Sequence, residues 1–374
     1  MERMERKKYM VAKPAAKVVH DVEPLQPTGV VGLCPDPLRV YQHTDKITLE
    51  VIKKISYTSV LSADLFDKDL LCELCKVAAY LQNKKRESID ILGDKIMAAA
   101  FFEASTRTRL SFESAMLRLG GKTISVADAK TTGVAKGESL IDIGQMFNSY
   151  ADLVVVRHTQ QSSIHELSKY MRIPLINGGN GSDEHPTQAL ADWYALLKWK
   201  PEIAYTSLPE SEKIHLGIIG TPGNMRSVKS FLILSLLFKE NIKKITIVSE
   251  LADPFGEDVQ DFCDASPVPI EVINDLQEVI SSLDVIYMNM IAFLGDGYRD
   301  IGSNFHLSTA SRIKKNAVIM HPLARKKELD MSLDDTDHNL YFNQADGAVF
   351  IRQALLLAIF DRVDKIIPRD FIQR

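Results

Sequence analysis

Short apolar runs alternate with amphipathic stretches from about residue 46 to the end of the chain. LFDKDLLCELCKVAAYLQ reads as an amphipathic helix, with apolar residues recurring at helical spacing. IMAAAFF is a short apolar run of the kind that forms a buried strand. STRTRLSFESAMLRL follows as a helix that opens at Ser105 and is stopped by Gly120 and Gly121. TISV, DLVVV and IPLIN are further short strands, each preceded by a helical candidate. PTQALADWYALLKW is the next helix, with Pro186 suited to a first turn. A polar interval, KPEIAYTSLPESEK, then interrupts the pattern. HLGIIG starts a second series in which KITIVSE, DVIYMN and AVIMHP are the strands. GAVFIRQALLLAIFDRV closes the chain as an apolar helix.

Strands alternating with helices imply parallel sheets covered on both faces. The break at residues 199–213 divides the chain into two such halves. The expected fold class is therefore α/β, with two doubly wound parallel-sheet domains. Residues 1–45 are polar and mixed and are expected to form a loosely ordered extension; 46–198 and 199–346 are the expected domains. The length of 374 residues, too long for one ordinary core, agrees with two. In such sheets ligands bind at the carboxyl ends of strands, beside helix N-termini.

Composition narrows the partners. Apolar residues make up 45% and charged residues 25%, the balance of a globular protein. A net charge of -4 gives no global attraction for nucleic acid or a membrane surface. A small anion would need local arginine and lysine. The four cysteines include Cys72 and Cys75, a C-x-x-C inside a helical run with no second ligand pair, which reads as buried thiol. So few cysteines fit a reducing compartment. No run approaches the ~18 apolar residues of a membrane span. The first residues have no apolar core and carry Glu2, Glu5, Asp21 and Glu23, unlike a transit peptide. A cytoplasmic location is expected.

F-F-E-A-S-T-R-T-R, residues 101–109, puts Ser105, Thr106, Arg107, Thr108 and Arg109 at a strand-to-helix junction. Unpaired N–H groups and the positive dipole end sit in the first helical turn. Hydroxyls add donors, and an arginine fork matches phosphate oxygens. The same residues can also be an ordinary N-cap with solvated arginines. The rest of the chain favours the phosphate cradle. F-F-E-A-S-T-R-T-R-L-S-F-E, A-K-G-E, V-V-R-H, H-P-T-Q-A-L-A-D, the late H-P-L and F-I-R-Q-A-L resemble the aspartate carbamoyltransferase family, in order and at similar spacing, over roughly residues 45–365. Ornithine carbamoyltransferase shares S-T-R-T-R, but its S-M-G loop and H-C-L-P segment are absent.

The resemblance implies a carbamoyl-phosphate domain and an amino-acid acceptor domain, with the helix at 347–366 packing back on the first. It implies that Ser105, Thr106, Arg107 and Thr108 hold the phosphate of carbamoyl phosphate. Arg157 would reach phosphate and carbonyl oxygen, and His185 would donate to the carbonyl oxygen as charge grows there. Gln188 and the backbone carbonyls of Pro322 and Leu323 would accept from the carbamoyl NH2. No metal or cofactor is called for. The run A-D-A-K-T-T-G-V-A-K-G-E-S matches the family's mobile loop, which enters a neighbouring subunit's site in a homotrimer; Lys136 matches its functional lysine and Thr132 stands at its usual serine. Glu103 and Arg226 match a linked pair near the acceptor, with Arg226 on a carboxylate of aspartate.

The acceptor half departs from the family. Met290 stands where an arginine binds the second carboxylate of aspartate, Ala292 replaces a glutamine, and Gly295 replaces a further arginine. A carboxylate facing Met and Ala without a counter-charge would cost several kcal/mol. The expectation is therefore carbamoyl transfer to an altered, less acidic amino acid. Two alternatives stay open: Arg299 or Lys136 compensates and the acceptor is aspartate, as in pyrimidine biosynthesis, or the chain is a silent structural relative. Against silence, the donor-site residues are all present.

Overall fold

The computed structural model describes residues 31–41, 46–84, 89–127, 133, 137–205, 207–289, 291–294, 297–300 and 305–373. The first half contains a four-stranded parallel sheet: β1 (Ile96–Phe101), β2 (Lys122–Val126), β3 (Leu153–His158) and β4 (Leu175–Asn180), in the order β2-β1-β3-β4. Its main helices are α1 (Lys68–Asn83), α2 (Thr106–Arg118), α3 (Leu140–Tyr150), α4 (Ser163–Ser168) and α5 (Pro186–Trp199), with single helical turns at Leu49–Lys53 and Glu202–Tyr205. The second half contains a five-stranded parallel sheet. Its strands are β5 (Ile214–Ile219), β6 (Ile242–Val248), β7 (Ile270–Ile273), β8 (Val285–Met288) and, after an antiparallel hairpin of β9 (Ile291–Leu294) and β10 (Gly297–Asp300), β11 (Val318–Met320). Their order is β11-β8-β5-β6-β7. The helices here are α6 (Arg226–Ser235) and α7 (Glu257–Asp264), and α8 (Tyr341–Ile359) follows the sheet.

Period-two alternation explains why both sheets are covered on two faces. In β1, Met97, Ala99 and Phe101 join one buried cluster, while Ala98 and Ala100 join another. In β8, Val285 and Tyr287 face the first of these clusters, while Ile286 and Met288 face a third. The largest cluster is common to both sheets and is filled by α1, α5, α6 and α8. Its firmest seam is aromatic. Trp193 of α5 stacks on Phe238 at 3.9 Å between centroids, and Phe231 of α6 stacks on Tyr287 of β8 at 4.0 Å. Such ring pairs add directional attraction to a large apolar area. Helix α8 packs against α1, α2 and α5.

Most elements lie where the apolar pattern puts them; α5 begins and ends where PTQALADWYALLKW does. Three features differ. Helix α8 begins at Tyr341, before the apolar run, because Tyr341, Asn343 and Gln344 are buried although two are polar. Residues 37–41, expected to be loosely ordered, form a 3-10 turn against α1 and α5, and the Tyr41 hydroxyl donates to the carbonyl of Lys76 at 2.6 Å. The third is the pair of short segments β7 and the β9–β10 hairpin, which the pattern does not reveal. Cys72, Cys75 and Cys263 are buried free thiols and Cys34 is exposed. Among the described residues no helix is long and apolar enough to cross a membrane.

Candidate active site

Each sheet has a switch point where neighbouring strands lead away to opposite sides. In the first it lies between β1 and β3, where Phe101 is in register with Arg157. In the second it lies between β5 and β8, where Ile219 is in register with Met288. Loops diverge at such points and leave a crevice at the carboxyl ends of the strands. Both crevices open into one cavity of about 420 Å³. From the first half its wall takes Ser105–Thr108, Arg157, His185 and Gln188; from the second, Asn224–Ser227, Asn289 and residues 321–324 with Lys326.

Three helices present their N-termini here. Ser105 occupies the N-cap position of α2, His185 that of α5, and Arg226 is the first residue of α6. Their unpaired N–H groups and dipole ends favour anions. The Ser105 side chain makes no capping hydrogen bond, so its hydroxyl is available to a ligand. Arg107 is exposed on the wall, and no ion-pair partner for it exists among the described residues. The site is thus built around positive charge with room for an anion.

Glu103 joins the halves. Its carboxylate accepts from Arg157 Nη2 at 2.8 Å and from Arg226 Nη1 and Nη2 at 2.9 and 2.7 Å. Arg226 Nη1 also donates to the carbonyl of Gly181 at 2.6 Å. The three side chains are nearly enclosed, at 9–12% exposure, so the paired charges attract more strongly than they would in water. Gly179 makes the approach feasible: its φ is +110°, and a Cβ there would stand 3.1 Å from Arg157 Nη1 and 3.3 Å from Arg226 Nε.

His185 is fully buried, and its Nε2 lies 3.2 Å from the Thr108 hydroxyl. Burial, then the charges of Arg157 and Arg226, hold its pKa well below the usual histidine range. The imidazole is therefore neutral and can donate from one ring nitrogen. Its Nδ1 has no partner among the described residues. Gln188 is oriented by Asp192, whose Oδ1 accepts from Gln188 Nε2 at 2.7 Å. The amide nitrogen is thereby occupied, and the amide oxygen is left as acceptor. Asp192 also accepts from Tyr287 at 2.9 Å and from Gln344 of α8 at 2.5 Å. Burial pushes Asp192 up to about 7 while these donors pull the other way.

On the opposite wall, the Leu323 N–H donates to His321 Nδ1 at 2.8 Å. His321 Nε2 must then carry the proton, which it directs to Glu328 at 2.9 Å. This bracing shapes the turn carrying Pro322 and Leu323; the Leu323–Ala324 peptide is cis. Arg325 turns aside, paired with Asp334.

The structure brings Ser105, Thr106, Arg107, Thr108, Arg157, His185, Gln188, Arg226, Pro322 and Leu323 to one cavity, with Glu103 behind it. Lys136, Thr132 and Met290 lie outside the described residues. Ala292 is in β9, opposite Arg299 of β10. Sequence reasoning missed Asn224, Lys326 and Asp192. Asp192 had a signal, as the last residue of H-P-T-Q-A-L-A-D, four residues after Gln188 and so on the same helix face.

Comparison with known proteins agrees with this geometry. Residues 58–198 match the carbamoyl-P binding domain of aspartate/ornithine carbamoyltransferases, and residues 212–359 match their Asp/Orn binding domain. The chain belongs to the aspartate/ornithine carbamoyltransferase family and is a carbamoyltransferase of the aspartate carbamoyltransferase-like kind. It is 35% identical over 306 residues to the aspartate carbamoyltransferase catalytic subunit of Pyrobaculum calidifontis, covering 80% of this chain and 97% of that one. It is 34% identical over 320 residues to the chloroplastic aspartate carbamoyltransferase of Arabidopsis thaliana, covering 82% and 78%. Among solved structures, aspartate transcarbamoylase of Trypanosoma cruzi in complex with carbamoyl phosphate and aspartate superposes with a TM-score of 0.72 at 29% identity, covering 82% of this chain and 98% of that one.

Glu103→Ala leaves two nearly buried arginines without their shared counter-charge. The expected loss of stability is about 3–5 kcal/mol, read by chemical denaturation. A loss within the scatter of surface substitutions would show that the carboxylate is dispensable.

Proposed function

We propose that the protein transfers the carbamoyl group of carbamoyl phosphate to the amino group of L-aspartate. The observation that carries the donor half is the unpaired Arg107 at the N-terminus of α2, on a wall shared with Arg157 and the neutral His185. The phosphate dianion sits on the first turn of α2, held by Arg107 and the hydroxyls of Ser105, Thr106 and Thr108. His185 and Arg157 stabilise the carbonyl oxygen as it becomes an oxyanion. The oxygen of Gln188, with the carbonyls of Pro322 and Leu323, accepts from the carbamoyl NH2. The neutral amine attacks the carbonyl carbon, a C–N bond forms and the C–O bond to phosphate breaks. The proton shed by the amine leaves on phosphate. The first half thus binds the donor and the second the acceptor.

Arg226 binds the α-carboxylate. The hairpin register supports aspartate over the less acidic acceptor that Met290 and Ala292 alone favour. Ala292 is directly opposite Arg299, and opposed positions of an antiparallel pair share one face. The position where the family has glutamine is therefore paired in register with an arginine. Lys326 on the cavity wall adds positive charge nearby. The relatives matched over four-fifths of the chain are named aspartate carbamoyltransferases. The loop with Thr132 and Lys136 completes a neighbouring subunit's site in a homotrimer, as the family resemblance implies.

Arg107→Ala is expected to lower turnover about 100- to 1,000-fold, measured as phosphate release with aspartate; near-normal turnover would remove the donor assignment. Arg299→Ala should raise the KM for aspartate at least tenfold while sparing that for carbamoyl phosphate. An unchanged KM, with better use of a neutral amino acid by the unmodified protein, would return the altered acceptor. Mixed trimers of Lys136→Ala and His185→Ala chains should regain activity that neither has alone, and verified mixed trimers that stay inactive would refute a shared site.

A further inference from the structure

The motif F-I-R-Q-A-L in α8 has no part in the contacts described so far, yet its arginine is a buried cation. Arg352 is 2% exposed. Nη1 donates to the hydroxyl of Ser111, and the guanidinium lies 4.8 Å from the centre of the Phe112 ring. Nε and Nη2 have no hydrogen-bond partner among the described residues. Burial lowers its pKa to about 9, with Asp192 acting in the opposite direction. A charge so placed is costly unless something compensates it.

Ser111 shows where the charge acts. Its single hydroxyl proton is shared between the carbonyls of Arg107 at 2.6 Å and Thr108 at 2.9 Å. Arg352 therefore stands directly behind the first turn of α2, whose N–H groups face the cavity. Its charge adds to the positive end of the helix, and by holding Ser111 it holds the backbone that carries Arg107 and Thr108. Gln344, on the same helix, likewise holds Asp192 and through it Gln188. Helix α8 thus backs both the phosphate end and the carbamoyl end of the site.

We propose that Arg352 is a positioning residue for the phosphate cradle, acting through Ser111 on Arg107 and Thr108, and that its buried charge is balanced when a phosphate dianion occupies the cavity. The inference rests on the donor-site reading above. It differs from a purely structural role because it ties Arg352 to anion affinity.

The test measures binding of inorganic phosphate to the full-length protein by calorimetry, together with KM for each substrate and melting temperature. Arg352→Met should weaken phosphate binding and raise the KM for carbamoyl phosphate at least tenfold, with the KM for aspartate within twofold of normal. Arg352→Lys, which keeps the charge, should recover most of the phosphate affinity. Ser111→Ala should weaken binding about three- to tenfold. A folded Arg352→Met protein with phosphate affinity within twofold of the unmodified protein would overturn the proposal. If Arg352→Met does not fold, an unchanged phosphate affinity in Ser111→Ala overturns it instead. Arg107→Ala serves as the control: if it too binds phosphate normally, the donor-site assignment has failed rather than the role of Arg352.

Discussion

The carboxylate of Glu103 is where the two halves of the molecule meet chemically. It follows β1 of the first sheet, and it draws in Arg157 from β3 of that sheet and Arg226 from the start of α6 in the second half. Two guanidinium groups this close would repel each other without it. With it, they form a cationic rim on a cavity that three helix N-termini also face. Burial, reinforced by these charges, keeps His185 neutral, so that one ring nitrogen can donate a hydrogen bond. One acidic residue thus sets the distance between arginines and the relation of one half to the other, and contributes to a stable shared boundary.

Behind this rim lies a second set of contacts that makes the ligand-facing groups specific. Gln188 offers its oxygen because Asp192 occupies its nitrogen. Leu323 is oriented because His321 accepts its N–H and passes its own proton to Glu328. The first turn of α2 is held by Ser111, which Arg352 holds in turn. Most of these supports come from α8 or from the loop after β11, elements far along the chain from the S-T-R-T-R motif.

Most strands and helices of both halves were legible because they are short apolar or amphipathic runs bounded by polar or glycine-rich segments. The cavity residues Ser105–Thr108 were legible through a motif that joins hydroxyls and an arginine to a helix start. The supporting contacts were not, because Asp192, Arg352 and Gln344 are polar residues inside apolar helices, where periodicity reads them as interruptions. The β9–β10 hairpin was missed for a different reason. IAFL runs on from DVIYMN without a turn signal, GYRD carries no strand signature, and only pairing brings Arg299 opposite Ala292. Counting substitutions along the sequence removes a cation from the acceptor half; the register puts Arg299 opposite Ala292.

A crystal structure with N-(phosphonacetyl)-L-aspartate, which joins a phosphonate to aspartate in one molecule, tests the account most directly. The phosphonate should lie on the first turn of α2 beside Arg107, with one carboxylate on Arg226 and the other at the β9–β10 hairpin. A phosphonate bound away from α2, or carboxylates turned from both Arg226 and the hairpin, would contradict it.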